Sequence, residues 1–153
     1  MDNPNKNSKA YSPQETLSLR ALVALTRGAT SMHRREYRTI KEGGLTVSQF
    51  AVLEILYHKG PQNIRAIIEK TLSSGGNMTV VIDNLVREGL VQREQDPADA
   101  RASIISLTEK GEEKMESVFP GHLDNIVDIF SVLEDEEKHT LIALMKKLSR
   151  VEK

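Results

Sequence analysis

The sequence has no cysteine and no tryptophan, and its aromatic content is 4%. Without thiols the chain can form no disulfide, no Cys-ligated zinc site and no thiol nucleophile or redox sensor. So few aromatics argue against a carbohydrate-stacking site or an aromatic cage. No apolar run approaches the ~20 residues that span a bilayer. The opening stretch MDNPNKNSKAYSPQ lacks the apolar centre of a secretory signal, so a cytoplasmic location is expected. An excess of one charge is missing too: 21 Lys and Arg face 22 Asp and Glu, a formal net charge of −1. Bulk charge therefore announces no polyanion partner.

What is present fits one soluble globular domain. The chain has 153 residues, 39% hydrophobic and 28% charged. That is enough to bury a core without a metal or a staple. The charge is unevenly placed. Residues 1–41 carry eight Lys and Arg against three Asp and Glu, residues 59–110 seven against seven, and residues 111–153 six against ten. The chain ends thus have opposite sign, a reason for them to lie together within one chain or between two.

The first ten or so residues are polar and are expected to be disordered, a tail over 1–11. SPQE then opens a helix: Ser12 is the N-cap, Pro13 the first helical residue, and Glu15 closes a capping box. Leu17, Ala21, Ala24, Leu25 and Met32 recur at helical spacing, while Leu19, Leu22 and Val23 form a second apolar face. A helix apolar on two sides is central to a core or shared with a partner chain. It runs to about Lys41, and Gly43-Gly44 ends it.

LTVSQFAVLEILYHKGP repeats the pattern, with Thr46 as cap, Gln49 as box partner, and Phe50, Leu53 and Leu56/Tyr57 as one stripe. A short helix follows over 63–71, buried through Ile64, Ile67 and Ile68. In SSGGNMTVVIDNLVREG, Ser73 or Ser74 caps the next helix, Met78, Val81, Ile82 and Leu85 face inward, and Gly89 stops it. The period then falls to about 2. LVQRE and ASIISL read as strands around the turn QDPADAR. Thr108 caps a long helix to about Ser131, and a last helix over about 135–150 presents Leu141, Leu144, Met145 and Leu148.

Helix, helix, helix and hairpin over 46–107 make a winged helix-turn-helix pattern, in which the second helix of the pair enters the major groove. The outer face of that helix holds Asn77, Thr79, Val80, Asp83, Asn84 and Arg87. Asn pairs with adenine, while Thr and Val can meet a thymine methyl. Ser74, Gly75 and Gly76 place a lightly covered helix start near phosphate. At the wing tip, Arg101 has the length to enter a narrow minor groove, and Asp99 is placed to hold its guanidinium in a bidentate pair. Arg93, on the first wing strand, would reach phosphate. A solvated helix face and a surface ion pair at a turn would show the same residues without DNA.

The pieces Asp99-Ala-Arg101, ASIIS and Leu107-Thr108-Glu-Lys-Gly111, with LTVSQFAVLEIL, VIDNLVREGLVQRE and LEDEEKHTLIALMKKL, resemble the MarR family of bacterial transcription regulators from about Pro13 to Leu148. Within it, VLEILYHKGPQ and VREQDPADAR look most like the branch that responds to quinones and phenolic compounds. The resemblance implies a mainly α fold with a small antiparallel β-hairpin wing and long N- and C-terminal dimerisation helices. One domain over 12–150 would divide into a dimerisation helix at 12–44, a winged lobe at 45–107 and dimerisation helices at 108–153. It implies a homodimer that grips a pseudo-palindrome, most often as a repressor, with DNA contacts from Ser74, Asn77, Thr79, Val80, Arg87, Arg93, Asp99 and Arg101. It also implies an effector cleft, on this chain lined by Met32, His33, Tyr37, Phe50, Leu53, Tyr57, Met115 and Phe119. The bland reading of the same eight side chains is ordinary core, and it is the one favoured by their spacing.

Two other functions compete. A winged-helix dimer without DNA binding, acting as a protein-interaction module, suits the neutral charge of 59–110. An enzyme finds little support, since no nucleophile–base pair, carboxylate pair or phosphate loop stands out. The four histidines lack metal-ligand spacing, so neither a metal nor a cofactor is expected.

Overall fold

The computed structural model describes residues 11–71 and 75–150. The expected tail, save Tyr11, and the expected caps Ser73 and Ser74 lie outside them. Along the chain come α1 (Pro13–Glu42), α2 (Val47–Lys59), β1 (Gln62–Asn63), α3 (Ile64–Thr71), α4 (Gly75–Arg87), β2 (Val91–Asp96), β3 (Asp99–Leu107), α5 (Glu109–Phe130) and α6 (Asp135–Ser149). This is the expected mainly α fold with an antiparallel wing and long terminal helices. Among the described residues, no helix is long and apolar enough to cross a membrane.

The chain divides into two compact units inside α1, between Arg34 and Arg35. In the first unit the capping box is in place: Ser12 N–H donates to Glu15 Oε2 at 2.8 Å, and Glu15 N–H to Ser12 Oγ at 3.2 Å. The Ser12 backbone N–H, and after it the Ser12 hydroxyl, hold the Glu15 carboxyl below its ordinary pKa. Leu17, Leu19, Leu22, Val23 and Leu25 are all exposed.

The second unit holds the core. Ile40, Leu53, Ile67, Met78, Ile82, Leu85, Ile105 and Met115 are fully enclosed, drawn from every helix from α1 to α5 and from the central strand. α1 and α4 end alike. Gly44 takes a φ of 73°, its N–H donates to Lys41 O at 2.9 Å, and Leu45 N–H reaches Ile40 O at 3.2 Å. Gly89, also at 73°, repeats this with Val86 O at 3.0 Å, and Leu90 with Leu85 O at 2.9 Å. Each is a Schellman stop: glycine adopts the left-handed turn without a Cβ clash, and the next leucine folds back onto the core. Thr46 and Gln49 form the expected capping box of α2.

The sheet differs from a bare hairpin. It has three strands in the order β1–β3–β2, all antiparallel, with Gln62 opposite Ile105 and Val91 opposite Leu107. β1 is two residues long and has no alternation to read; its partner lies some forty residues away, so only tertiary pairing makes it a strand. The wing strands also run further than expected, leaving Pro97 and Ala98 as the whole turn.

α5 buries one stripe: Met115, Val118, His122, Asn125 and Ile129. Two of these are polar and satisfied. Asn125 Nδ2 donates to Arg35 O at 3.1 Å and to Thr39 Oγ1 at 3.5 Å, and Thr39 Oγ1 lies 3.1 Å from His122 Nδ1. Arg35 and Asp128 pair at 2.9 Å over the same junction. On the outer side Leu123, Val127, Val132, Leu141, Ile142, Leu144 and Leu148 are exposed.

Candidate nucleic-acid interface

α2, α3 and α4 pack against one another, and α4 lies against β2. Met78, Val81, Ile82 and Leu85 anchor α4 in the core, so its remaining face is turned out. Asn77, Thr79 and Val80 are exposed there, Val80 to 57%, and Arg87 is exposed in the last turn. Val80 is thus an exposed apolar side chain on a polar face. Ser74 falls outside the described residues.

The far end of α4 is stitched down by the Leu-Thr-x-x-Gly stretch. Thr108 Oγ1 donates to Gly89 O at 2.6 Å and accepts from Gly111 N–H at 3.1 Å. Thr108 N–H donates to Leu90 O at 3.2 Å, and Lys110 Nζ to Glu88 O at 2.7 Å. Three successive carbonyls after α4 thus find donors from the first turn of α5. Gly111 has a separate reason to be glycine: a Cβ there would sit 2.0 Å from Leu90 O.

At the wing tip two aspartates shape the backbone. Asp96 Oδ1 accepts from Ala98 N–H at 2.8 Å, and Asp99 Oδ1 from Arg101 N–H at 2.9 Å. Both are Asx turns. The register breaks here: Gln95 faces Ser103, but Asp96 faces Asp99, so residues 100–102 bulge from β3. Such a bulge re-aims side chains away from the ladder. Arg101 stands exposed within it. This corrects one expectation. Asp99 grips the Arg101 backbone amide, and among the described residues no ion pair joins the two side chains. The acid orients the arginine through the turn.

Arg93 is paired within the chain. Its Nη2 lies 2.6 Å from Asp83 Oδ1 on α4, so its guanidinium is engaged within the protein and does not extend freely toward phosphate.

The expected effector cleft is largely core. Phe50, Leu53 and Met115 are at most 3% exposed and belong to the buried core to which α2 and α5 both contribute. Tyr37 and Phe119 pack on that core from its edge, and Tyr57 is 37% exposed. Met32 and His33 are half-buried in the first unit. Rings do gather in the second unit: His122 lies 4.5 Å from Phe50, and Phe119 has His58 at 4.7 Å and Tyr57 at 5.9 Å. Sequence reading missed His122 and Asn125, the Asp83–Arg93 pair and the stitch through Lys110. The first two were findable, since 115, 118, 122, 125 and 129 form one helical stripe.

A helix held in the core with polar residues outward, beside a wing carrying an exposed arginine, defines a winged-helix DNA-binding protein. The MarR family model matches residues 45–103. The chain is 42% identical over 121 residues to the HTH-type transcriptional regulator YkoM of Bacillus subtilis, covering 79% of each. It is 35% identical over 131 residues to the HTH-type transcriptional regulator MhqR of the same organism, covering 86% of this chain and 90% of that one. The solved structure of Bordetella bronchiseptica BpsR, described with regulation of its DNA binding by 6-hydroxynicotinic acid, superposes with a TM-score of 0.75 at 25% identity, covering 85% of this chain and 98% of that one. The chain belongs to the MarR family, whose members are DNA-binding transcription regulators and not enzymes.

Proposed function

We propose that the protein acts as a homodimer on a pseudo-palindromic operator, represses transcription there, and is released by a small hydroxylated aromatic compound. The observation that carries the DNA reading is the pairing of the outward α4 face with a bulged, exposed Arg101. Asn77, Thr79 and Val80 read base edges, Arg87 lies nearer the backbone, and Arg101 enters the minor groove.

Two exposed apolar surfaces support dimerisation, one on α1 and one on α5–α6. Monomers rarely leave so many large apolar side chains open without a partner. In this reading segments 12–44 and 108–153 each contribute dimer contacts, and 45–107 is the reading lobe. Half-sites present the same groove face about 34 Å apart, so an effector that turns the lobes slightly breaks the match. The hydroxylated-aromatic class follows from the compound named for BpsR. On this chain Tyr37, Tyr57 and Phe119 would receive it, with Tyr57 the exposed hydrogen-bonding group.

A DNA selection tests the reading. Random duplexes are mixed with the protein and with Arg101→Ala at moderate salt. Enrichment of an inverted repeat by the wild type, lost in the variant, supports it. No enrichment by a folded dimer points to the protein-interaction module that neutral charge over 59–110 favours. The enriched duplex then serves to test phenols and quinones for release.

A further inference from the structure

We propose that Arg93 is a positioning residue: Asp83 holds it in a clip that fixes the wing against the recognition helix, and it makes no phosphate contact in the DNA complex. The inference rests on the reading surface proposed above and corrects the role that its position on the wing suggests.

The direction of the side chain comes from the sheet. Arg93 stands opposite Ile105 in the β2–β3 ladder. Cross-strand partners point to the same face of a sheet. Ile105 is completely buried, so that face is the one against the helices. The Arg93 stem therefore runs over the edge of the core, and its head meets the carboxylate of Asp83 at 2.6 Å. Its neighbours Gln92 and Glu94 point the other way and contact each other at 3.4 Å.

Asp83 supplies the second half. It lies four residues after Thr79 and three after Val80, so it shares their helix face. An unpaired carboxylate there would repel phosphate. Paired to Arg93 it is neutralised, at 36% and 48% side-chain exposure for the arginine and the aspartate. The clip thus removes a repulsion from the reading face. It also ties α4 to β2, so that recognition helix and wing meet adjacent grooves in one fixed geometry.

The test uses Asp83→Asn, Arg93→Gln and the double variant on the selected duplex, with affinity measured across a salt series. Each single change is expected to weaken binding on the order of five-fold, the scale of a half-exposed ion pair. The double variant is expected to bind no more weakly than the worse single, with the salt slope of the wild type. A slope lower by about 0.9 in the double variant would mean that Arg93 met a phosphate and would overturn the proposal. So would tighter binding by Asp83→Asn, which frees Arg93, or single effects that add. Thermal unfolding of the same four proteins reads the clip without DNA, and additive melting shifts there would also overturn it. If the wild type selects no duplex, the DNA reading fails by itself, and the unfolding cycle still decides the clip.

Discussion

Gly111→Ala measures how closely the first turn of α5 rides on the segment leaving α4. A Cβ at this position would stand 2.0 Å from Leu90 O, 3.0 Å from Leu90 C and 3.2 Å from Leu107 Cδ2. Carbon and carbonyl oxygen settle near ~3.3–3.6 Å, so the two backbones would have to part by roughly one and a half ångströms. Leu90 O is also the acceptor for Thr108 N–H, in a place where Leu90 is only 5% exposed. Overpacking of this kind costs about 1–3 kcal/mol, and losing that bond about 0.5–1.5 kcal/mol more. Alanine returns ~1 kcal/mol through helix propensity. The net loss is about 1–3 kcal/mol, a fall in Tm of roughly 3–10 °C for a chain of this size. Gly121→Ala is the control, because nothing lies within 4 Å of a Cβ built there. It is expected to raise stability by up to about 1 kcal/mol. The assay is thermal unfolding at one fixed protein concentration. Equal melting of Gly111→Ala and wild type would refute the close approach, and with it the reason given for glycine in Leu-Thr-x-x-Gly.

Other outcomes follow from the same packing. Leu144→Glu puts a charge on a side chain 51% exposed on the proposed dimer face; sedimentation should show monomers, and an intact dimer would exclude α6 from the interface. Asn125→Ala removes the donor to Arg35 O and Thr39 Oγ1. It should lower unfolding free energy by about 1–3 kcal/mol, and a urea midpoint unchanged from wild type would contradict a structural role. Glu15 is held below its ordinary pKa, so its support of the first turn is present above that value and lost as pH falls through the lowered one. Amide signals of residues 14–16 should therefore fray on acidification in the wild type, while Glu15→Gln should show no such pH dependence. An identical pH response in the Gln variant would remove the capping explanation.

Local rules made much of the architecture readable. Ser12, Thr46 and Thr108 start helices, and Gly44 and Gly89 stop them, because caps and left-handed turns are decided within a few residues. The buried face of α4 followed from spacing alone. What escaped was set by long-range pairing. β1 is a strand only because Ile104 and Ile105 lie beside it. The wing bulge is a matter of register, which alternation does not specify when few wing residues are buried. Asp99 and Arg101 looked like an ion pair because their charges are opposite; the shorter path was an Asx turn from the acid to an amide two residues on. Arg93 looked free because its partner, Asp83, sits on another element. The effector cleft was the least legible part, since aromatic and aliphatic residues at core spacing read alike whether they enclose a ligand or one another.

The central claim is that α4 and the bulged Arg101 read DNA together, twice per dimer. A hydroxyl-radical footprint of the selected duplex, with wild type and with Arg101→Ala, tests it most directly. Two major-groove half-sites are expected on one face, about 10 base pairs apart or a multiple of that. Flanking minor-groove protection is expected too, lost in Arg101→Ala while the half-sites persist at higher protein concentration. A single unpaired patch, or flanking protection that survives Arg101→Ala, would contradict it.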